Sequence, residues 1–121
     1  MAADGGGGAG VTCGHAGAIG TRIETEVELV RQASAGSADA ARQIIKTHNQ
    51  RLFRLVRAVT GNAADAEDVL QDAYLQAFSN LGSFRAESSL ATWLSRIALN
   101  AAYMRLRARR QSKRAAQEQA P

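Results

Sequence analysis

The stretch Gly61-Asn-Ala-Ala-Asp-Ala-Glu-Asp-Val-Leu-Gln-Asp-Ala-Tyr-Leu-Gln-Ala-Phe78 decides the fold. Gly61 is placed to stop a preceding helix, and Asn62 with Asp65 three positions on resembles a capping box that starts a new one. Apolar residues then recur at helical spacing: Ala66, Val69 and Leu70, Ala73 and Tyr74, Ala77, and finally Leu81. Asp65, Asp68 and Asp72 fall together on another side of the same helix. Between Asn62 and Asp72 there is no base to pair with them, so the pattern predicts a helix with one buried face and one exposed acidic face.

Working outward, the upstream segment from Ser37 to about Thr60 reads as a long helix capped by Ser37, with Ile45, Leu52, Val56 and Val59 facing inward. Ile44, Phe53 and Leu55 widen that stripe. A shorter helix from about Glu24 to Ala35 precedes it, ended by Gly36. Downstream, Gly82 is expected to break the acidic helix, and Ser83 to Ser88 form a polar loop around Phe84. Ser88 or Ser89 caps a last helix whose inward face is Leu90, Trp93 and Leu94, Ile97, Ala101 and Met104. Its apolar stripe fades beyond about Arg107 while the charges continue. No segment shows strand alternation. The sequence predicts an all-α fold, a compact bundle of about four helices over residues 23–114, with a disordered glycine-rich lead at 1–22 and a frayed tail at 115–121.

Composition bounds the chemistry. The 121 residues carry 15 Lys plus Arg against 11 Asp plus Glu, a formal net charge of +4. The distribution is more informative: Arg105, Arg107, Arg109, Arg110, Lys113 and Arg114 form a run with no acid among them. Such segregation suits a polyanion at one surface and a basic or polar protein at another, or two solvated helix faces. The single cysteine, Cys13, excludes an internal disulfide and fits a reducing compartment. There is no secretory signal pattern, and no apolar run approaches the roughly 20 residues that span a bilayer.

Catalytic and metal chemistry find no support. Cys13 and His15 make a Cys-x-His pair without a second pair of ligands, and the Gly5 to Gly8 run lacks the strand and Gly-Lys-Ser/Thr of a phosphate loop. His48 has no nearby nucleophile or acid in its helix, and the three aspartates lack the Glu-x-x-His partners of a di-metal bundle. No cofactor is implied. The segment from Phe84 to Arg107 is richer: aromatic side chains stack on unpaired bases, arginines hold phosphates, and an amide such as Asn100, one turn beyond Arg96, can read a base edge. Phe84 and Trp93 serve equally well as core residues, so nucleic-acid binding and a pure protein-interaction bundle both remain open on the residues alone.

The block just quoted, with Arg51-Leu-Phe-Arg-Leu-Val-Arg57 before it and Leu81-Gly-Ser-Phe-Arg-Ala-Glu-Ser-Ser-Leu-Ala-Thr-Trp-Leu-Ser-Arg-Ile-Ala-Leu-Asn100 after it, closely resembles region 2 of bacterial RNA polymerase sigma factors. It looks most like the extracytoplasmic-function group. The resemblance covers about Glu24 to Arg114. It implies that the acidic helix docks on the clamp-helix coiled coil of the largest subunit of core RNA polymerase, through Asp68, Gln71 and Asp72 with Leu75 beside them. It implies that the loop from Asn80 to Ser89 receives a base flipped from the single-stranded non-template strand of promoter DNA at the minus-ten element. Phe84 is then the pocket residue, with Asn80, Arg85 and Ser88 in the same loop. Trp93, Arg96, Ile97 and Asn100 are the matching helix positions, and Arg105 and Arg107 hold the DNA backbone. An anti-sigma factor is a further implied partner, and the implied location is the cytoplasm, with no membrane contact.

Three departures limit what carries over. The chain ends at Pro121, where family members continue into a helical domain that reads the minus-thirty-five element, so this chain is expected to lack that function or to be a fragment. His48 stands where a number of relatives have an aromatic residue. Ser95 stands where many have Tyr, so a DNA contact there is not transferred. Two rivals remain: a sigma-like module that binds polymerase or an anti-sigma partner without reading promoters, and a helix-turn-helix regulator of duplex DNA. The second conflicts with the acidity of the helix after Gly61-Asn62, since a groove-entering helix meets phosphates.

Overall fold

A computed structural model of the chain describes residues 18–119, and the side chains of residues 25–118. Among these residues the regular structure is entirely helical: α1 (Ala18–Ser34), α2 (Ala38–Thr60), α3 (Ala63–Ser79), a 3₁₀ turn (Leu81–Ser83) and α4 (Leu90–Gln119). The expected all-α bundle of four helices is what forms. Its first helix begins at Ala18, about six residues ahead of the expected Glu24. The rest of the glycine-rich lead, with Cys13 and His15, lies outside the described residues.

Local chemistry sets the connections. Gly36 adopts φ +104° and Gly61 φ +85°, left-handed conformations that favour glycine and turn the chain out of α1 and α2. Ser37 Oγ accepts the Ala40 N–H at 3.1 Å, and Asn62 Oδ1 accepts the Asp65 N–H at 2.8 Å, so each residue caps the helix that follows. The break after α3 differs from expectation. The helix ends at Ser79 with Asn80 at its C-cap, and Gly82 sits within the 3₁₀ turn without a left-handed φ. At the start of α4 the choice falls on Ser89, whose Oγ accepts the Thr92 N–H at 3.1 Å and whose carbonyl accepts the Trp93 N–H at 3.0 Å.

The core joins Val30 of α1, Ile44, Leu52 and Val56 of α2, five residues of α3, Leu81 of the turn, and Leu90, Leu94, Ala98 and Ala102 of α4. Helix α4 packs on both α2 and α3. The inward stripe of α3 follows the periodicity, with Ala66, Val69, Leu70, Ala73 and Ala77 buried. Two other expectations are corrected. Ile44, fully buried, takes the core position assigned to Ile45, which is half-buried. Met104, placed inward by spacing, is 59% exposed, because the buried row of α4 runs Leu90, Leu94, Ala98, Ala102 and so turns away from it. Beyond Leu106 every described side chain of α4 is exposed through Glu118, so the last turns project as helix from the bundle and continue to Gln119.

Candidate functional site

Asp68, Gln71, Asp72 and Leu75 lie one turn apart on the outer side of α3, and all four are exposed, Leu75 by 65%. An isolated leucine that open beside two carboxylates has no packing role in the bundle. On one flank, Tyr74 donates its hydroxyl proton to Asn49 Oδ1 at 3.1 Å across a shallow groove of about 320 Å³ lined by Asn49, Phe53, Glu67, Leu70, Gln71 and Tyr74. On the other flank a groove of about 350 Å³ runs between α3 and α4, lined by Val69, Asp72, Gln76, Ala101, Met104 and Arg105.

The second candidate surface begins where α3 ends. Asn80 is exposed, and its side-chain amide donates to the Gln76 carbonyl at 2.9 Å. Phe84 is half-buried and meets the half-buried Trp93 edge-on, with ring centroids 5.5 Å apart and planes at 61°. Both rings also lie against the core, so the structural role for these aromatics holds while each stays partly exposed. Arg85 is exposed, and the Ser88 hydroxyl donates to the Ser89 carbonyl at 3.3 Å. Along α4, Arg96 and Asn100 are exposed and Ile97 is half-buried against the core. Trp93, Asn100, Arg107 and Arg114 recur every seven residues, which at 3.6 residues per turn is one slowly drifting stripe. The loop and this stripe therefore form a continuous surface that begins aromatic and ends basic.

Arg105 is placed elsewhere. Five residues from Asn100 it is turned about 140° around the helix, continuing the buried row toward α3. Helices α3 and α4 run antiparallel, so Arg105 Nη1 lies 3.6 Å from Asp65 Oδ1 and 3.9 Å from Asp68 Oδ2, while its Nη2 lies 3.8 Å from Asp72 Oδ2. One turn on, Arg109 Nη1 meets Asp65 Oδ2 at 2.6 Å. The basic run thus splits into two sides, with Arg105 and Arg109 against acids and Arg107 on the open stripe. The expectation of an exposed acidic face formed by Asp65, Asp68 and Asp72 is corrected in the same way. Asp65 is only 8% exposed and is tied to α4, whereas Asp68 and Asp72 remain open.

One polar residue with no motif to announce it also reaches this region. Glu26 of α1 accepts the Leu90 N–H at 3.1 Å, at the first position of α4. The two residues are 64 positions apart, so no local spacing could reveal the contact. Among the described residues no group of three or more His, Cys, Asp or Glu is arranged to hold a metal ion, and no helix is long and apolar enough to cross a membrane.

Comparison with known proteins matches residues 44–112 to the family model described as sigma-70 region 2. The chain belongs to the sigma-70 region 2 family. Over 95 residues it is 38% identical to the ECF RNA polymerase sigma factor SigM of Mycobacterium tuberculosis, covering 78% of this chain and 48% of that protein. It is 33% identical over 78 residues to the ECF RNA polymerase sigma factor SigW of Bacillus subtilis, covering 64% of this chain and 42% of that protein. The ECF RNA polymerase sigma-E factor of Escherichia coli shows 33% identity over 78 residues, or 64% of this chain and 40% of that protein. The chain thus spans less than half the length of these relatives. The matched segment of this region 2 domain begins inside α2 and takes in α3, the loop and α4 to Ser112, so both candidate surfaces fall within it except Arg114 at the end of the stripe, and α1 falls outside.

Proposed function

We propose that this region 2 domain serves a sigma factor in transcription initiation, docking on core RNA polymerase and recognising and melting the minus-ten promoter element. The polymerase surface is the α3 row Asp68, Gln71, Asp72 and Leu75, which offers two open carboxylates and an exposed leucine to the clamp-helix coiled coil. The DNA surface is the loop with Asn80, Phe84, Arg85 and Ser88, continued by Trp93, Arg96, Ile97 and Asn100. Arg107 and the exposed turns after it take the backbone of the single-stranded non-template strand. Arg105 joins them only by leaving its carboxylates. The observation that carries the reading is the unbroken passage from the Phe84 loop to the Asn100 and Arg107 stripe. A partly exposed aromatic, an amide and a chain of cations in that order suit an extruded base and its flanking phosphates.

The work is binding without bond chemistry. Extruding a base costs a few kcal/mol of stacking and pairing. Stacking, worth about 1–3 kcal/mol per base, and phosphate contacts offset that cost and so trap the melted state. Polymerase and DNA put the domain at work in the cytoplasm, where an anti-sigma factor would compete for the same surfaces.

The test pairs a pull-down of purified core polymerase with fluorescence titration of single-stranded and duplex oligonucleotides across a salt series. Asp72→Ala should weaken polymerase capture and leave oligonucleotide binding as in wild type. Asn100→Ala should flatten discrimination at one base position by about 1–3 kcal/mol. Preference for duplex without polymerase capture would overturn the reading. Polymerase capture with no sequence preference would favour an interaction module that does not read promoters.

A further inference from the structure

We infer that Glu26 is a positioning residue for the base-reading loop, fastening the first turn of α4 to α1 from outside the residues 44–112 that match the family model. The inference rests on the DNA reading above.

The first N–H groups of a helix need partners from beyond it. In α4 the Thr92 and Trp93 N–H groups are taken by Ser89, but the Leu90 N–H is taken by the Glu26 carboxylate at 3.1 Å. The first turn of α4 contains no acid of its own, so Glu26 is also the negative charge at its positive end. Leu90 is 1% exposed, so its N–H has little access to water as a replacement acceptor. A carboxylate beside a surface that meets phosphates is unfavourable for binding them, so its place there is not explained by DNA contact, whereas the Leu90 N–H gives it a structural partner.

The other end of the loop is held by the same helix. Helix α1 packs against the 3₁₀ turn, where Leu81 is 3% exposed. Between these two anchor points α1 and the loop face each other across a groove of about 330 Å³, with Val27, Val30 and Ser34 on one wall and Leu81, Phe84 and Ala86 on the other. Ala86 adopts φ +59°, a left-handed conformation that a residue with a Cβ keeps only when its surroundings impose it. The geometry of the loop is therefore imposed from both ends by α1. Phe84, braced on Trp93, inherits its distance to Arg96 and Asn100 from where α4 starts. Releasing Leu90 shifts the reading surface and leaves the α3 row untouched.

The test uses the full chain with Glu26→Ala and Glu26→Gln, since glutamine keeps one acceptor oxygen for the Leu90 N–H without the charge. Amide hydrogen exchange is followed in residues 84–93 and in α3. Discrimination is measured with short fluorescein-labelled single strands differing at one base, alongside core-polymerase capture. Glu26→Ala should speed exchange in the loop and first turn of α4 on the order of ten-fold with α3 protected as in wild type. It should also lower base discrimination on the order of five-fold and leave polymerase capture unchanged. Glu26→Gln should restore most of both. Wild-type exchange and discrimination in Glu26→Ala would overturn the inference, as would faster exchange with discrimination intact. A wild-type protein with no base preference would sink the promoter reading and with it the reading role of Glu26. The exchange result would still decide separately whether Glu26 holds the loop.

Discussion

Replacing Asp65 with alanine tests whether the acidic helix is held by α4 or merely decorated with charge. The side chain is 8% exposed. Its Oδ2 takes the Arg109 guanidinium at 2.6 Å and the Asn62 side-chain amide at 2.8 Å, and Arg105 lies 3.6 Å from its Oδ1. The Asn62 bond, made to a charged and shielded acceptor, is worth about 1.5 kcal/mol. Arg109 is 57% exposed, so solvent screening limits its pair to about 1 kcal/mol. Arg105 contributes a few tenths of a kcal/mol, because it keeps Asp68 and Asp72 after the change. Alanine recovers about 0.5 kcal/mol of helix propensity. The net loss is about 2 kcal/mol, which for a helical domain of this size lowers the melting temperature by about 8–16 °C. Far-UV circular dichroism melts of Asp65→Ala and Asp68→Ala check it. Asp68 is 67% exposed and meets Arg105 at 3.9 Å, and its loss should stay within about 0.5 kcal/mol. At high salt the gap between the two variants should narrow, because the Arg109 part is screened. If Asp65→Ala melted within a degree or two of Asp68→Ala, the clamp between α3 and α4 would be refuted.

Four further outcomes follow from backbone geometry and ionisation. Gly61→Ala should cost about 1 kcal/mol in urea unfolding, because φ +85° strains any residue with a Cβ. Gly82→Ala should be near neutral, since an added Cβ meets nothing within 4 Å. Burial lowers the pKa of His48 from its ordinary 6.5, with Glu26 opposing and Arg51 adding to the effect. The folded protein therefore takes up this proton less readily than the unfolded chain, so the contribution of His48 to stability is full above pH 6.5 and declines as pH falls below it. His48→Gln should flatten that slope, and equal slopes in both proteins would refute it. Burial pushes the Tyr74 phenol up to about 12 from 10.0. Stability should accordingly fall as pH rises between those values, and Tyr74→Phe should remove that fall in alkaline unfolding curves.

The residues legible from sequence are those whose partners are neighbours in the chain. Ser37, Gly61 and Asn62 announce helix ends because a cap is completed within about three residues. The α3 stripe was legible because its apolar positions recur every three or four residues, with acids and glutamines between them. Ile44 and Ile45 are both isoleucine, and a stripe wide enough to hold either leaves the choice to the neighbouring helix. Met104 misled for a related reason: it continues a helical period from Ala101, but the bundle ends its cover on the Ala98 and Ala102 side. The candidate surfaces were legible as residue types in order. The orientation of their members was not, because Arg105 and Arg107 are alike in sequence and differ only in which side of α4 faces α3.

Periodicity, caps and ordered motifs determined by themselves that the chain forms four helices, that α3 carries acids outward, and that an aromatic loop leads into a basic helix. These are local properties, set within a turn or two of helix. Only the tertiary structure decided that Asp65 is buried under Arg109, that Arg105 turns away from the Asn100 stripe, and that Glu26 caps a helix 64 residues downstream. Each depends on two helices meeting at one register and one rotation, which the whole core settles at once.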